Sequence, residues 1–425
     1  MLTGDEFALE REVKTPRLLK LAFASKEETW RWIVRACERI DHRGMSTELP
    51  GVSATYFVRP DREDPRFDRV NVAHDPSPFV PLATDVDLAG YCDRVTALTG
   101  GKRFGAVVHG LEGVSVDLCE RVRELLRDYQ RRNGVRASPT VMAIFGNYAR
   151  PAFGAPRESV EDYFQLVVQG RTRFRYWTGE TIAADSSLER ALLRSPTDYQ
   201  TAEASSQVFE ATAGDLLYWP GTTWHTSEAV AGTPSMSLIV RLSAPYFTLE
   251  RATHRAIVSC LGRISRSSAL EQEAPRPGEE MPSELIRASC EKLVRVLGTK
   301  LSPSVRHQWL CALTNAGIKY PRQQRGAVLM EGDRICATAE RLRYVVVGDQ
   351  MCVASRGLGF VSDGGMAPMI DELRSEQALL VSDLVRRYSA EYEADGVKHI
   401  LDMLYATGAV RRVESSGSGS EEPTA

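Results

Sequence analysis

Features that would assign a function at sight are missing from this chain. Its eight cysteines (Cys37, Cys92, Cys119, Cys260, Cys290, Cys311, Cys336 and Cys352) are scattered, with no CxxC pair and no zinc spacing. That excludes a metal finger and suits free buried thiols in a reducing compartment better than a disulfide framework. No apolar run approaches a membrane span, and the opening MLTGDEFALEREVK has no apolar signal segment. A net charge of −3 offers no electrostatic footprint for non-specific nucleic-acid binding. Internal repeats are absent as well. These absences predict a soluble, cytoplasmic protein with no membrane partner and no nucleic-acid partner. At 425 residues the chain exceeds one ordinary core, so two or three domains are expected.

The patterning supplies the organisation. Ser25-Lys26-Glu27-Glu28 fits a capping box opening an amphipathic helix through Ile40, with Trp30, Ile33, Val34 and Cys37 on one face. Ser115 is a fitting N-cap for a second helix to about Arg131. Between Thr140 and about Leu249 the character turns to short β-rich runs: 141–145, 163–168, 174–177, 216–219 and 236–240. Gly, Pro and Asp turns separate them, as in an antiparallel barrel or jelly roll. The segment Asp185–Leu193 reads as a helical insertion. Beyond 250 the spacing is helical, over 283–297 and 303–315. A strand pair (344–347, 351–354), two helices (378–387, 395–407) and a terminal strand (409–413) follow, suggesting a helix-turn-helix with a β wing. The tail ESSGSGSEEPTA has a disordered composition.

Residues 214–228, Gly-Asp-Leu-Leu-Tyr-Trp-Pro-Gly-Thr-Thr-Trp-His-Thr-Ser-Glu, carry the most information. A turn leads into an apolar strand, a Pro-Gly turn and a single histidine, His225. With residues 153–164 (FGAPRESVEDYF) and 169–175 (QGRTRFR), this stretch resembles the JmjC, cupin-like family of ribosomal oxygenases. The resemblance implies an α+β fold: a double-stranded β-helix, a helical dimerisation region and a C-terminal winged-helix-like domain. The corresponding boundaries are 1–250 for the JmjC-like domain, 251–342 for the helical region, 343–414 for the winged helix and 415–425 for the tail. The family hydroxylates protein side chains with Fe(II) and 2-oxoglutarate, and dimerises through the helices after the barrel.

Carried over residue by residue, His225 takes the place of the distal metal-ligating histidine. Arg157 stands where the first histidine belongs and Ser159 where the carboxylate belongs. Thr172 falls at the basic residue that pairs with 2-oxoglutarate. Arginine stays protonated and repels a dication, and serine is a poor ligand for a facial triad. The expectation is therefore no metal cofactor, with Fe(II) and 2-oxoglutarate as the alternative. In that case a slipped register would enlist Glu158 or Asp162 beside His225.

A further option is metal-free proton transfer, with Arg157, Ser159 and His225 as candidate catalytic groups converging in the old cavity. Read without the motif, His225 is equally a hydrogen-bonded core residue. Tyr148 and Trp224, next to turns, are candidates for a peptide-contacting rim, and Arg171 and Arg173 complete the candidate peptide-binding set. Alternation along a strand turns these two arginines away from Thr172.

The favoured function is binding or shaping of a precursor peptide, in a homodimer. This is similar to the JmjC-like peptide-binding proteins of crocagin-type peptide natural product pathways. A divergent protein or peptide hydroxylase and a ligand-sensing winged-helix regulator are the alternatives. Residues 378–413 carry five basic against five acidic side chains, which favours peptide or protein contact over DNA.

Overall fold

The computed structural model describes residues 16–41, 52–58, 71–72, 77–136, 139–148, 161–194, 200–230, 233–242, 248–266, 283–318, 320–321, 328–338, 342–375 and 377–413. The chain separates into two compact units. Residues 1–246 with 318–321 form the first, and residues 247–317 with 322–425 form the second.

The first unit runs β1 (Arg17–Lys20), α1 (Lys26–Cys37), β2 (Ser53–Val58), β3 (Asn71–Val72), α2 (Leu88–Leu98), β4 (Phe104–His109), α3 (Val116–Asn133) and β5 (Thr140–Gly146). It continues with β6 (Asp162–Gln169), β7 (Arg171–Trp177), α4 (Gly179–Ala184), α5 (Ser186–Arg194), β8 (Gln207–Thr212), β9 (Asp215–Pro220), β10 (Trp224–Ala229) and β11 (Ser235–Leu242). The capping box forms, with Ser25 and Glu28 exchanging side-chain to backbone hydrogen bonds, and α1 ends at Cys37 rather than Ile40. Ser115 caps α3.

Eight strands form one sheet in the order β1-β9-β6-β11-β5-β4-β2-β3, and three form a second in the order β10-β7-β8. From β6 to β11 the chain passes between the two sheets, and every pairing among these strands is antiparallel. One apolar cluster takes Tyr163, Leu217 and Trp219 from the large sheet and Phe174, Tyr176 and Ala211 from the small one. The Ser227 hydroxyl also donates across the interior to Gln165 Oε1 at 3.0 Å. The sheets therefore face each other, as in a jelly roll.

Alternation puts the other face of each strand outside. There the large sheet packs on helices: Trp30 of α1 and Tyr91 of α2 lie against Phe145, and Tyr129 of α3 lies edge-on to Phe164. The turn from β6 to β7 needs Gly170. Its φ is +79°, and a Cβ there would sit 2.6 Å from the Pro234 carbonyl oxygen.

The second unit holds α6 (Leu249–Arg266), α7 (Ser283–Asn315), β12 (Arg334–Ala337), β13 (Arg343–Val347), β14 (Gln350–Ser355), β15 (Leu358–Asp363), α8 (Ala367–Leu373), β16 (Leu379–Leu380), α9 (Val381–Tyr388), α10 (Ala394–Ala406) and β17 (Val410–Arg412). The two helices expected over 283–297 and 303–315 are one, running through Pro303. Proline removes one helical hydrogen bond, yet packing of α7 along β13, β14 and β15 holds the helix. The thiol of Cys352 donates to the Pro303 carbonyl at 3.3 Å.

Sheets β16-β12-β17 and β13-β14-β15 complete this unit. Its core gathers Ile335, Met351, Ile370, Leu384, Leu401 and Leu404 among others. Residues 415–425, expected to be disordered, lie outside the described residues. Among the described residues no helix is long and apolar enough to cross a membrane.

Candidate functional site

β10 pairs with β7 so that His225 stands opposite Tyr176, Ser227 opposite Phe174 and Ala229 opposite Thr172. These positions share the inner face. From the large sheet, β6 and β9 set Tyr163 opposite Trp219 and Gln165 opposite Leu217 on the same interior.

His225 is 8% exposed. Its ring lies 4.9 Å from Trp219, 5.8 Å from Tyr163 and 5.8 Å from Phe174, the last stacked at 21°. Nδ1 lies 3.0 Å from the Thr223 carbonyl. A carbonyl only accepts, so Nδ1 carries the proton and, in the neutral ring, Nε2 is a bare acceptor. Burial drives the pKa down to about 4, against a smaller opposing contribution from the Thr223 bond. His225 is therefore neutral at physiological pH, a weak base and a good hydrogen-bond acceptor.

Several buried polar atoms of this interior have no partner. They are Thr172 Oγ1, Gln165 Nε2 and Trp219 Nε1. Ser235 and Tyr148 lie together farther along the interior, where the hydroxyl of Ser235 faces the phenol.

The positions of the other sequence candidates differ from one another. Arg157, Glu158 and Ser159 lie outside the described residues. Asp162 precedes Tyr163 on β6 and points to the opposite face. There it accepts from Arg136 Nη2 at 2.7 Å and from the Tyr129 hydroxyl. The structure does not bring it to His225.

Arg171 and Arg173 project outward, as alternation requires, and pair with Glu210, with Arg173 also near Glu228. Arg171 is 59% exposed at its side chain. Tyr148 is no rim residue: it is 2% exposed and packs edge-on against Phe57 at 5.7 Å. Trp224 is no rim residue either. It is 7% exposed, on the outer face of the small sheet, in a cluster with Trp177, Ile182, Leu188, Leu192 and Ala202 beneath α4 and α5. A neighbouring turn places a ring near a strand end without deciding whether a helix covers it.

Sequence reasoning missed Tyr163 and Trp219 as neighbours of His225, and Gln165 as the partner of Ser227. Strand alternation starting from a known inward residue would have selected them, but their meeting across two sheets depends on the fold.

The donor set tests the Fe(II) and 2-oxoglutarate expectation of the family resemblance. Among the described residues no three His, Cys, Asp or Glu side chains lie where they could hold a metal ion. Among the described residues, the acidic group nearest this stretch of interior, Glu161, is held by Arg241 and by the Tyr163 hydroxyl, and three aromatic rings wall His225. Residues 157–159 bring an arginine, a glutamate and a serine, so even with Glu158 the set falls short of a facial triad. At the cosubstrate position, Thr172 is neutral and buried. The described residues do not by themselves supply an Fe(II) and 2-oxoglutarate site.

No family model matches this chain, and no curated protein does. Among solved structures, a structure of YcfD, a ribosomal oxygenase from Escherichia coli, is 16% identical, covering 97% of this chain and 98% of that chain at a TM-score of 0.48. A structure of YcfD in complex with cobalt and 2-oxoglutarate is 16% identical, covering 94% of each chain at a TM-score of 0.45. A mutant of the oxalate decarboxylase OxdC from Bacillus subtilis is 10% identical, covering 38% of this chain and 32% of that one at a TM-score of 0.20. The chain is thus similar, over nearly its whole length, to the ribosomal oxygenase YcfD.

Proposed function

We propose that this chain is a peptide-binding protein that uses a JmjC-like barrel without iron chemistry. The observation that carries this reading is the interior around His225. A neutral imidazole acceptor and unpartnered neutral donors stand where an oxygenase needs three metal ligands and a cation. Such groups match the donors and acceptors of a peptide backbone, whereas an unpaired charge there would lose its hydration without a counter-ion. The peptide is read as the precursor of a modified peptide product, bound or shaped for a later step.

Catalysis without metal would need a base stronger than a buried imidazole of pKa about 4. His225 is therefore assigned to binding and orientation. The alternative, a divergent Fe(II)/2-oxoglutarate hydroxylase, depends on ligands from residues 157–159.

We read β12, β16 and β17 with α9 and α10 as a winged-helix-like fold. Acidic Glu391, Glu393, Asp395 and Asp402 around and on α10 support protein contact there over DNA. A homodimer through 283–316 is part of the same reading, and a monomer by light scattering at micromolar concentration would remove it. The direct test of peptide binding incubates the full chain with a pool of synthetic decapeptides, then separates bound from free by size exclusion and identifies the retained set by mass spectrometry. Selective retention supports the reading. A retained set indistinguishable from the input pool refutes it.

A further inference from the structure

The interior polar groups are arranged by strand register. His225 and Ser227 are successive inward positions on β10, and the Ser227 hydroxyl is bonded to Gln165 Oε1 at 3.0 Å. Inward positions on one strand are about 6.7 Å apart, and Gln165 is bonded to the inward position next to that of His225. Gln165 is completely buried, its Oε1 is used and its Nε2 has no partner. His225 Nε2 is a bare lone pair, because Nδ1 holds the proton against Thr223.

An acceptor and a donor at neighbouring inward positions suit the two ends of a single amide. Its nitrogen and oxygen are about 2.3 Å apart, and each hydrogen bond adds about 2.9 Å.

Given the peptide-binding reading, we propose that the barrel interior recognises one uncharged amide group of the bound peptide. His225 Nε2 accepts from the amide N–H, and Gln165 Nε2 donates to its carbonyl. Trp219 Nε1, buried and unpartnered beside His225, is the second donor available to that carbonyl. The Ser227–Gln165 bond is the positioning contact: it holds the glutamine amide at the inward position next to His225, with Oε1 on the Ser227 hydroxyl and Nε2 left without a partner. Charged side chains are excluded on the same grounds. Arg241, on the inner face of β11 opposite Tyr163, is already engaged by Glu161, and no free countercharge for a carboxylate stands beside His225 among the described residues.

The test uses the ¹⁵N-labelled full chain with two probes that differ in one group, N-acetylalanine methylamide and N-acetylalanine methyl ester. The methylamide is expected to shift the His225 Nε2 and Trp219 indole resonances saturably. It should bind about tenfold more tightly than the ester, which lacks the N–H that His225 accepts. Gln165→Met should weaken both probes, which share the carbonyl, while the Nδ1 resonance of His225 stays in place. Equal affinity for the two probes, binding that leaves His225 unshifted, or no binding up to the solubility limit would each overturn the proposal. If decapeptides are still retained under any of these results, the amide assignment alone fails. If none is retained, the peptide-binding reading fails first.

Discussion

Replacing Asp162 by asparagine separates two assignments of one carboxylate. In an iron site using a slipped register, Asp162 would be a ligand, and its loss would abolish metal binding with little effect on stability. In this structure it is the counter-ion of Arg136 at 2.7 Å and the acceptor for the Tyr129 hydroxyl, with both charged side chains largely buried. Asparagine keeps the shape and one acceptor but leaves the guanidinium without its countercharge. Breaking a buried pair from one side costs about 3 kcal/mol. With a slope of about 3 kcal/mol per molar urea, the unfolding midpoint of the first unit should fall by about 1 M. The double variant with Arg136→Met should recover part of the loss, because the guanidinium that faced the Asp162 carboxylate is gone. Urea denaturation followed by tryptophan fluorescence, with and without added Fe(II), reads all three states. A loss below about 1 kcal/mol, or one that appears only with Fe(II) present, would refute the placement of Asp162 on the outer face.

Other consequences are equally concrete. His225 titrates near 4 when folded and near its ordinary 6.5 when unfolded. The unfolded chain therefore binds the extra proton between these values, and stability present above pH 6.5 is lost as pH falls toward 4, by about 3 kcal/mol. In His225→Gln that component of the pH slope should vanish, and urea midpoints at pH 7.5 and 4.5 in both proteins measure it. Gly170→Ala should destabilise the first unit by about 2 kcal/mol, through the left-handed φ and the clash with the Pro234 carbonyl, as thermal unfolding would show. Trp224→Ala should cost about 3–5 kcal/mol by emptying the cluster under α4 and α5. It should leave the selection of decapeptides unchanged, whereas a rim residue would alter the selection with little loss of stability.

The legible parts of the fold are those where local and tertiary demands agree. β5, β6, β9 and β11 are largely apolar because both faces are covered, and they stand where the β-rich runs predicted them. β8 was illegible: Gln207-Val208-Phe209-Glu210-Ala211-Thr212 is an edge strand with one wet face and little apolar density. α7 was divided at Pro303 because a local rule about proline cannot weigh the β-sheet packed along the helix.

At the site, the 214–228 motif located His225, and the motif with strand alternation oriented Thr172, Arg171 and Arg173. Tyr148 and Trp224 were misjudged because aromatic residues beside turns look alike until the covering elements are known. The partnership of Gln165 with Ser227 joins residues 62 positions apart on different sheets, and no local pattern encodes it.

The central claim is that the barrel has a peptide-binding interior and no iron site. Anaerobic titration of the metal-stripped full chain with Fe(II) and 2-oxoglutarate, followed by removal of free metal and elemental analysis, tests it most directly. The account predicts iron far below one equivalent per chain and no succinate formed when oxygen is admitted. One equivalent of retained iron, with 2-oxoglutarate consumed on exposure to oxygen, would contradict it.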